Sequence, residues 1–305
     1  MDVMTVRGPV SGADLGITLP HEHLLLDLYQ VFQPHRDMKL YDKDLAAAEL
    51  DLYAKAGGGT LVEVTTPDLG RDPKGLVELS DRTGVHIVMG TGRYREPFYE
   101  QDIWRMTTNQ VADLFILEIR EGVDGGIRPG IIGEIGVHGP FISPAEERVH
   151  RAVARAHLAT GLAITLHANA TPIGLPQLDL LSEEGVDLSR VVVGHCDTYA
   201  DRSYHLAILE KGAYVEYDTI RGSWDFETKR QLKMVLDMVE QGYIDRLLLS
   251  QDLAVDKFYT AYGGNGYTFV VSKFAALLRD AGLSEAQLRQ LLVDNPRRML
   301  TGEVS

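Results

Sequence analysis

Residues 191–195 read Val-Val-Val-Gly-His, a short run of β-branched apolar side chains that ends in a histidine. Such a run favours a strand of a parallel sheet that helices cover on its faces. Similar runs occur at Ile17–Leu19, Thr60–Thr66, Val85–Thr91, Ile131–Val137, Leu162–His167, Ala213–Asp218 and Leu247–Asp252. The segments between them space their apolar residues as helices do, for example at positions 45, 48, 52 and 56. The chain therefore alternates between predicted strands and predicted helices.

Eight strand–helix units predict an α/β fold, and we expect a closed (β/α)8 TIM barrel forming one domain over residues 1–305. Helix ends are marked chemically: Ser143-Pro144-Ala145-Glu146 offers an N-cap, a first-turn proline and a capping-box acid, and Gly161 stands near the other end. The alternative is an open doubly wound sheet. No G-x-G-x-x-G or Walker A motif follows a predicted strand, which disfavours a nucleotide-binding fold of that kind.

Composition excludes several classes of function. The 305 residues include 30 Lys and Arg against 44 Asp and Glu, a net charge of −14, so we expect no nucleic-acid partner. The one cysteine, Cys196, has no second cysteine to pair with, which is typical of a reducing compartment. Neither a signal peptide nor an apolar run of about 18 residues is present, so we expect a cytoplasmic protein without a membrane partner.

Polar side chains recur where the predicted strands end. They are His21, His23, Glu134, His167, His195 and Asp252. The ends of barrel strands meet at one rim, and residues two apart on a strand share a face, so these six side chains should converge. Each alone has a plainer interpretation, as a hydrogen-bonded core histidine, the partner of an arginine or a helix cap. Together they predict a site for borderline divalent metals such as zinc.

The number of side chains indicates how many ions they hold. Six ligands exceed the four of a tetrahedral zinc, whereas two ions bridged by one carboxylate would use them all. The remaining histidines lack a second ligand at suitable spacing. His150 and His157 are predicted on the solvated side of one helix. The others with no candidate ligand nearby in the sequence are His35, His86, His138 and His205. Cys196 is predicted to be a small buried residue.

Several motifs carry a family resemblance along essentially the whole chain. They are Pro20-His21-Glu22-His23, Gly90-Thr91-Gly92-Arg93-Tyr94, Gly133-Glu134-Ile135-Gly136, Gly194-His195-Cys196-Asp197, Ser250-Gln251-Asp252 and Asn295-Pro296. The chain resembles the phosphotriesterase family of the amidohydrolase superfamily, in the branch of phosphotriesterase homology proteins and related lactonases. The resemblance implies a (β/α)8 barrel with a binuclear centre, usually of two zinc ions, and a homodimer.

Carried over to this chain, the resemblance gives each predicted ligand a place. His21, His23 and Asp252 would hold the more buried ion, and His167 and His195 the more exposed one. Glu134 falls where the phosphotriesterases place a bridging carboxylated lysine. No lysine lies between positions 74 and 211, so a glutamate bridge is expected, which puts phosphotriesters as substrates in doubt. Residues 217–220, Tyr-Asp-Thr-Ile, also lack a histidine that could relay protons.

The expected mechanism uses a hydroxide shared by two metal ions, one of which also polarises the substrate. Asp252 is the predicted catalytic residue that moves the proton to the leaving group. Tyr94 is a second catalytic candidate, and rim packing is its alternative role. Arg93, Arg221 and Trp224 are the predicted substrate-binding residues, since guanidinium groups suit an anionic substrate. The plainer alternative is that these arginines neutralise acidic residues around the rim.

The predicted function is hydrolysis of an ester bond in a small molecule: a lactone, a carboxylic ester or an organophosphate ester, with or without an anionic group. A close alternative is an amidase or N-acyl hydrolase, because the same nucleophile attacks both kinds of centre. A second alternative, from a different functional class, is a homologue that binds metal without catalysing a reaction. A complete set of six ligands argues against it.

Overall fold

Eight parallel strands form the centre of the molecule in the computed structural model, which describes residues 1–29 and 38–303. In chain order they are Ile17–Glu22, Gly58–Glu63, His86–Thr91, Ile131–Gly136, Ile164–His167, Val191–Gly194, Tyr214–Tyr217 and Leu247–Leu249. Each pairs in parallel with the next, from the first to the eighth. The predicted (β/α)8 barrel is confirmed, and its strands follow one another around the barrel in sequence order. His35 lies outside the described residues.

Helices lie between the strands and beyond the last one. The α-helices are Lys43–Lys55, Pro73–Thr83, Gln101–Arg105, Thr108–Glu121, Pro144–Thr160, Gly174–Glu183, Arg202–Glu210, Asp225–Glu240, Ala275–Asp280, Glu285–Arg289 and Asn295–Thr301. Two short antiparallel sheets stand apart from the barrel, one of Asp2–Thr5 with Gly8–Ser11 and one of Leu26–Asp27 with Lys39–Leu40. No helix in the described parts of the chain is long and apolar enough to cross a bilayer.

Helix Pro144–Thr160 begins and ends where the sequence indicates. The Ser143 side chain accepts from the Glu146 amide, Glu146 accepts from the Ser143 amide in return, and Gly161 closes the helix with a φ of 76°. The prediction that His150 and His157 face solvent is wrong, because both are buried. Neighbouring helices cover this helix on two sides, so only part of its polar sequence faces water.

The strands divide their side chains between two hydrophobic clusters. Val191 and Val193 pack into the larger cluster, beneath the helices, whereas Val192 belongs to a smaller one. That smaller cluster takes Val62, Val88, Ile131, Tyr214 and Leu248 from five other strands, so it fills the barrel interior. Val3 of the amino-terminal hairpin also belongs to it. Apolar packing therefore fills the lower barrel, and the polar strand ends lie at the opposite end.

The barrel closes between its first and last strands mainly through side chains, beside one backbone bond from the Asp252 amide to the His21 carbonyl oxygen at 3.2 Å. The Ser250 hydroxyl oxygen accepts from the His21 amide at 3.1 Å and lies 2.9 Å from the His21 carbonyl oxygen. Glu22 accepts from the amides of Gln251 at 2.7 Å and Leu253 at 3.0 Å. These bonds occupy the place of a backbone ladder and fix the segment that carries Asp252.

Candidate metal centre

The six predicted ligands come together at the carboxyl ends of the strands. His21, Glu134 and His167 lie within strands, and His23 follows the first strand directly. His195 and Asp252 follow the sixth and eighth strands in the left-handed backbone region, with φ values of 57° and 47°. That conformation is unfavourable for residues other than glycine and is concentrated at functional sites.

The carboxylate of Glu134 lies at the centre of the cluster. Its Oε2 atom is 2.8 Å from His167 Nδ1, 3.3 Å from His21 Nε2 and 3.4 Å from His195 Nε2. Its Oε1 atom is 3.6 Å from His23 Nε2. All five side chains are buried. A single carboxylate thus faces four imidazoles, which is the arrangement that a bridging ligand requires.

Two compact groups of ligand atoms can be distinguished around this carboxylate. One combines His21, His23 and Asp252, and the other combines Glu134, His167 and His195; within each group the ligand atoms lie within 4.8 Å of one another. His21 Nε2 is buried and makes no hydrogen bond with the described residues. Imidazole nitrogens and carboxylate oxygens at this spacing fit divalent cations such as zinc.

Three of the imidazoles are held by hydrogen bonds to their other ring nitrogen. His195 Nδ1 is 2.7 Å from Asp218 Oδ1, and His21 Nδ1 is 3.1 Å from Glu216 Oε2. His23 Nδ1 is 2.8 Å from the hydroxyl of Thr65. With Nδ1 as the donor, the Nε2 atoms of His21 and His23 carry no proton and face Glu134 and Asp252, whereas His195 Nε2 lies 2.7 Å from His167 Nδ1.

Sequence reasoning missed Glu216 and Asp218, although a signal for them existed. They stand two apart at the end of a buried strand, Tyr-Val-Glu-Tyr-Asp, so both face the barrel interior. An unpartnered carboxylate there would be costly, which predicts partners of opposite charge or donor groups. Glu22 was missed for a similar reason. It lies between two histidines on the opposite face of its strand, where it fixes the segment before Asp252.

The electrostatics of the cluster favour positive charge. Burial alone would raise the pKa of Glu134, yet the charge of His167 and hydrogen bonds from the surrounding histidines lower it well below its ordinary value. Burial opposes the charged form of His195, but Asp218 and Glu134 raise its pKa to about 10. These acidic partners therefore stabilise positive charge on His195, as they would stabilise a bound cation, whereas burial lowers the pKa of His167 to about 4.

The two catalytic candidates border the cluster. Asp252 Oδ1 lies 3.3 Å from His23 Nε2, and its Oδ2 accepts from Arg221 Nη2 at 2.6 Å. The Tyr94 hydroxyl is 3.2 Å from His167 Nε2, the nitrogen that faces away from Glu134. Burial raises the pKa of Tyr94 well above its ordinary value, so this side chain is a proton donor at neutral pH.

The three predicted substrate-binding residues occupy different places. Arg221 pairs with Asp252 as described, and Trp224 is 62% exposed and lines a large cavity beside the cluster. Arg93 differs from the expectation, because its buried guanidinium donates to Glu100 at 3.1 Å and packs 5.9 Å from the Phe115 ring centre. It lines neither of the two cavities that reach the cluster in the described structure.

Those two cavities meet the cluster from different sides. The larger, of about 810 Å³, is lined by Asn169, His195, Thr198, Thr219, Arg221, Gly222, Ser223, Trp224, Glu227, Arg230, Asp252, Lys257, Phe258 and residues 263–265. The smaller, of about 230 Å³, is lined by His23, Leu26, Leu28, Leu69, Tyr94, Arg95, Glu134, His167, Asn169, Asp252 and Ala254. A small molecule therefore has access to the predicted ligands from both.

A match to a known protein family agrees with this geometry. The model of the phosphotriesterase family matches residues 1–300. The chain belongs to the phosphotriesterase family. The resemblance seen in the sequence is thus confirmed, and with it membership of a family of metal-dependent hydrolases.

Relatives in the phosphotriesterase family differ in their activities. The chain is 34% identical to the phosphotriesterase homology protein of Escherichia coli over 92% of its own length and 96% of that protein. It is 32% identical to the N-acetyltaurine hydrolase of Salmo salar, covering 98% of this chain and 97% of that one. The structure of a lactonase from Listeria monocytogenes superposes with a TM-score of 0.91, at 27% identity and full coverage of both chains.

Proposed function

We propose that this protein is a hydrolase that uses two divalent metal ions, of which zinc fits the donor set best. The observation that carries the proposal is the Glu134 carboxylate, which faces His21, His23, His167 and His195 within 3.6 Å. One ion would bind to His21, His23 and Asp252, the other to His167 and His195, and Glu134 would bridge them. When bound, the ions acidify a water molecule and polarise the scissile carbonyl or phosphoryl oxygen.

The residues of the chain supply the proton transfers. Asp252 accepts the proton of the attacking water as the bond to the water oxygen forms, and it delivers that proton to the leaving atom as the bond to the leaving group breaks. Arg221 donates to Asp252 Oδ2 at 2.6 Å and keeps that carboxylate ionised until it takes up the proton. Tyr94 lies at the edge of the centre and donates its hydroxyl proton in a hydrogen bond to the substrate oxygen.

The bond that is cleaved is either an ester or an amide. An ester substrate, such as a lactone, is supported by the similarity to a lactonase. An amide substrate is supported by the similarity to N-acetyltaurine hydrolases, at a higher identity of 32%. Because the same nucleophile attacks either carbonyl, the ligand set alone does not distinguish them.

A substrate panel on the metal-loaded protein tests the proposal. Lactones, aryl esters, phosphotriesters and N-acyl amino acids are compared by kcat/KM, together with metal content per chain. We expect two ions per chain and one preferred class of carboxylic ester or amide. Fewer than one ion per chain, or no hydrolysis of any class after loading with zinc, manganese or cobalt, would refute the proposed function.

A further inference from the structure

We propose that the two cavities divide the substrate between them, so that a small neutral acyl part occupies the smaller cavity and an anionic leaving group binds to Arg230 and Lys257 in the larger one. This inference rests on the proposed function and adds to it the class of substrate. The leaving group would carry a carboxylate or a sulfonate, whose oxygens accept hydrogen bonds from guanidinium and ammonium groups.

The candidate reacting centre lies where the two cavities meet. Asn169 and Asp252 line both cavities, and predicted metal ligands line each of them. A substrate whose scissile bond lies beside Asp252 therefore extends one end into each cavity. The chemistry of the two linings determines which end of the substrate binds in which cavity.

The larger cavity carries cationic side chains that have no acidic partner. Its lining includes three cations and two carboxylates, in a protein of net charge −14. Arg221 is paired with Asp252. Arg230 and Lys257 form no ion pair with any described residue, although Glu227 lies in the same lining. Arg230 donates to the Asp197 carbonyl oxygen at 3.3 Å, which leaves further guanidinium donors for a ligand.

The Lys257 ammonium group has a defined place in this cavity. It lies 5.3 Å from the centre of the Phe258 ring, which also stacks with Arg221 at 4.7 Å. An aromatic ring thus orients two cations on the same wall. Asn265 bonds to the Arg221 carbonyl oxygen from the facing loop and closes the lining there. These contacts place positive charge in the wall of the larger cavity, where a leaving group that carries a negative charge would bind.

The smaller cavity has a different lining. Leu26, Leu28, Leu69 and Ala254 supply apolar walls, and about 230 Å³ is less than the ~300 Å³ at which pockets for drug-sized ligands begin. Its one cationic side chain among the described residues, Arg95, lies 4.8 Å from the centre of the Tyr94 ring. The cavity therefore suits a short neutral acyl group.

The test compares matched substrates on the metal-loaded protein. Each pair shares an acetyl group joined to oxygen or to nitrogen, and the two-carbon leaving group ends in a carboxylate, a sulfonate or a neutral hydroxyl. The variants are Arg230→Gln, Lys257→Met and the double variant. Lys229→Met is the control, because it removes a positive charge from the same exposed helix surface without lining the cavity.

We expect wild-type protein to prefer the anionic members. Each single variant should lower their kcat/KM about three- to tenfold, mainly through KM, as partly exposed charge pairs contribute about 1 kcal/mol each. The neutral member and the Lys229→Met control should change less than twofold. A preference that persists in the double variant, or that disappears in Arg95→Met instead, would overturn the inference, as would equal use of neutral and anionic members.

Calorimetric titration separates this inference from the proposed function. The probes are 2-aminoethanesulfonate, glycine and 2-aminoethanol, added to metal-loaded wild-type and double-variant protein. Binding of the two probes that carry a sulfonate or a carboxylate, lost in the double variant, would support the anion site even if no substrate is hydrolysed. Hydrolysis without any preference for anionic leaving groups would refute the anion site and leave the hydrolase in place.

Discussion

Buried histidines occur in two regions of this molecule, the barrel mouth and the helix Pro144–Thr160, and the groups that their ring nitrogens face distinguish them. In the helix, His150 Nδ1 donates to the Glu146 carbonyl oxygen at 2.7 Å, and its Nε2 accepts from Gln177 at 3.0 Å. In the mouth, His21 Nδ1 is bonded to Glu216 while its Nε2, also buried, makes no hydrogen bond with a described residue.

The comparison shows that burial alone does not identify a metal ligand. His150 bonds through both nitrogens to groups that are not candidate metal ligands and contributes to packing, and burial lowers its pKa as expected for a neutral ring. Histidines whose nitrogens are directed at a common carboxylate form a site instead.

The largest effect is expected from Glu134→Ala, which removes the carboxylate shared by the four histidines. We expect loss of at least one metal ion per chain and a fall in kcat of about a thousandfold or more, because charge stabilisation at the reacting centre is lost. Metal analysis and steady-state kinetics measure this. His150→Gln, which changes a buried histidine outside the mouth, is the control and should keep both ions. Full metal content in Glu134→Ala would contradict the bridging role.

Removal of metal from the native protein should have the next largest effect. Ions that bind only to the folded state add RT ln(1 + [L]/Kd), or about 4 kcal/mol at a thousandfold excess over Kd. We therefore expect a chelator to lower Tm by several degrees and zinc to restore it. Bicarbonate should not be needed for recovery, because the bridge is Glu134 and no lysine in the region requires carboxylation. Strong dependence on bicarbonate would place the bridge elsewhere.

A smaller effect is expected from the carboxylates behind the imidazoles. Asp218→Asn keeps the shape of the side chain but weakens its hold on His195 Nδ1, and Glu216→Gln does the same for His21. Such changes cost about 10- to 100-fold in metal affinity or activity. Competition with a metal-binding dye measures affinity directly. Asp187→Asn at the opposite end of the sixth strand should leave metal affinity unchanged.

The smallest effect concerns His150 and the pH dependence of stability. Burial lowers its pKa below the ordinary value of 6.5, so the unfolded chain takes up a proton at a higher pH than the folded chain does. The contribution of neutral His150 is complete above pH 6.5 and is lost as pH falls, at no more than about 1.4 kcal/mol per pH unit. Urea unfolding measures the free energy of unfolding between pH 7.5 and 5. This free energy should depend less steeply on pH in His150→Gln than in the wild-type protein. Identical slopes would show that His150 titrates alike in both states.

Sequence patterns sufficed for the barrel and for the convergence of the six side chains. Eight apolar runs with polar ends specify parallel strands, and a barrel brings those ends to one rim, so His21 and Asp252 meet although 231 positions separate them. The exposure of His150 and His157 was wrong because a polar sequence does not reveal that neighbouring helices cover both sides. The sequence also did not reveal where the Arg93 side chain points, since that depends on the packing of a loop.

Side-chain closure between the first and eighth strands has a consequence for handling the protein. His21 and Asp252 lie on either side of the junction between these two strands, so an ion bound by both would hold the junction closed. Without the bound ion, opening of the Ser250 contacts would expose Ile17–Glu22 and Leu247–Leu249 as unpaired strand edges, which readily pair with other chains. We expect metal-free protein to aggregate during storage sooner than metal-loaded protein, and amide exchange at His21 and Gln251 to quicken first.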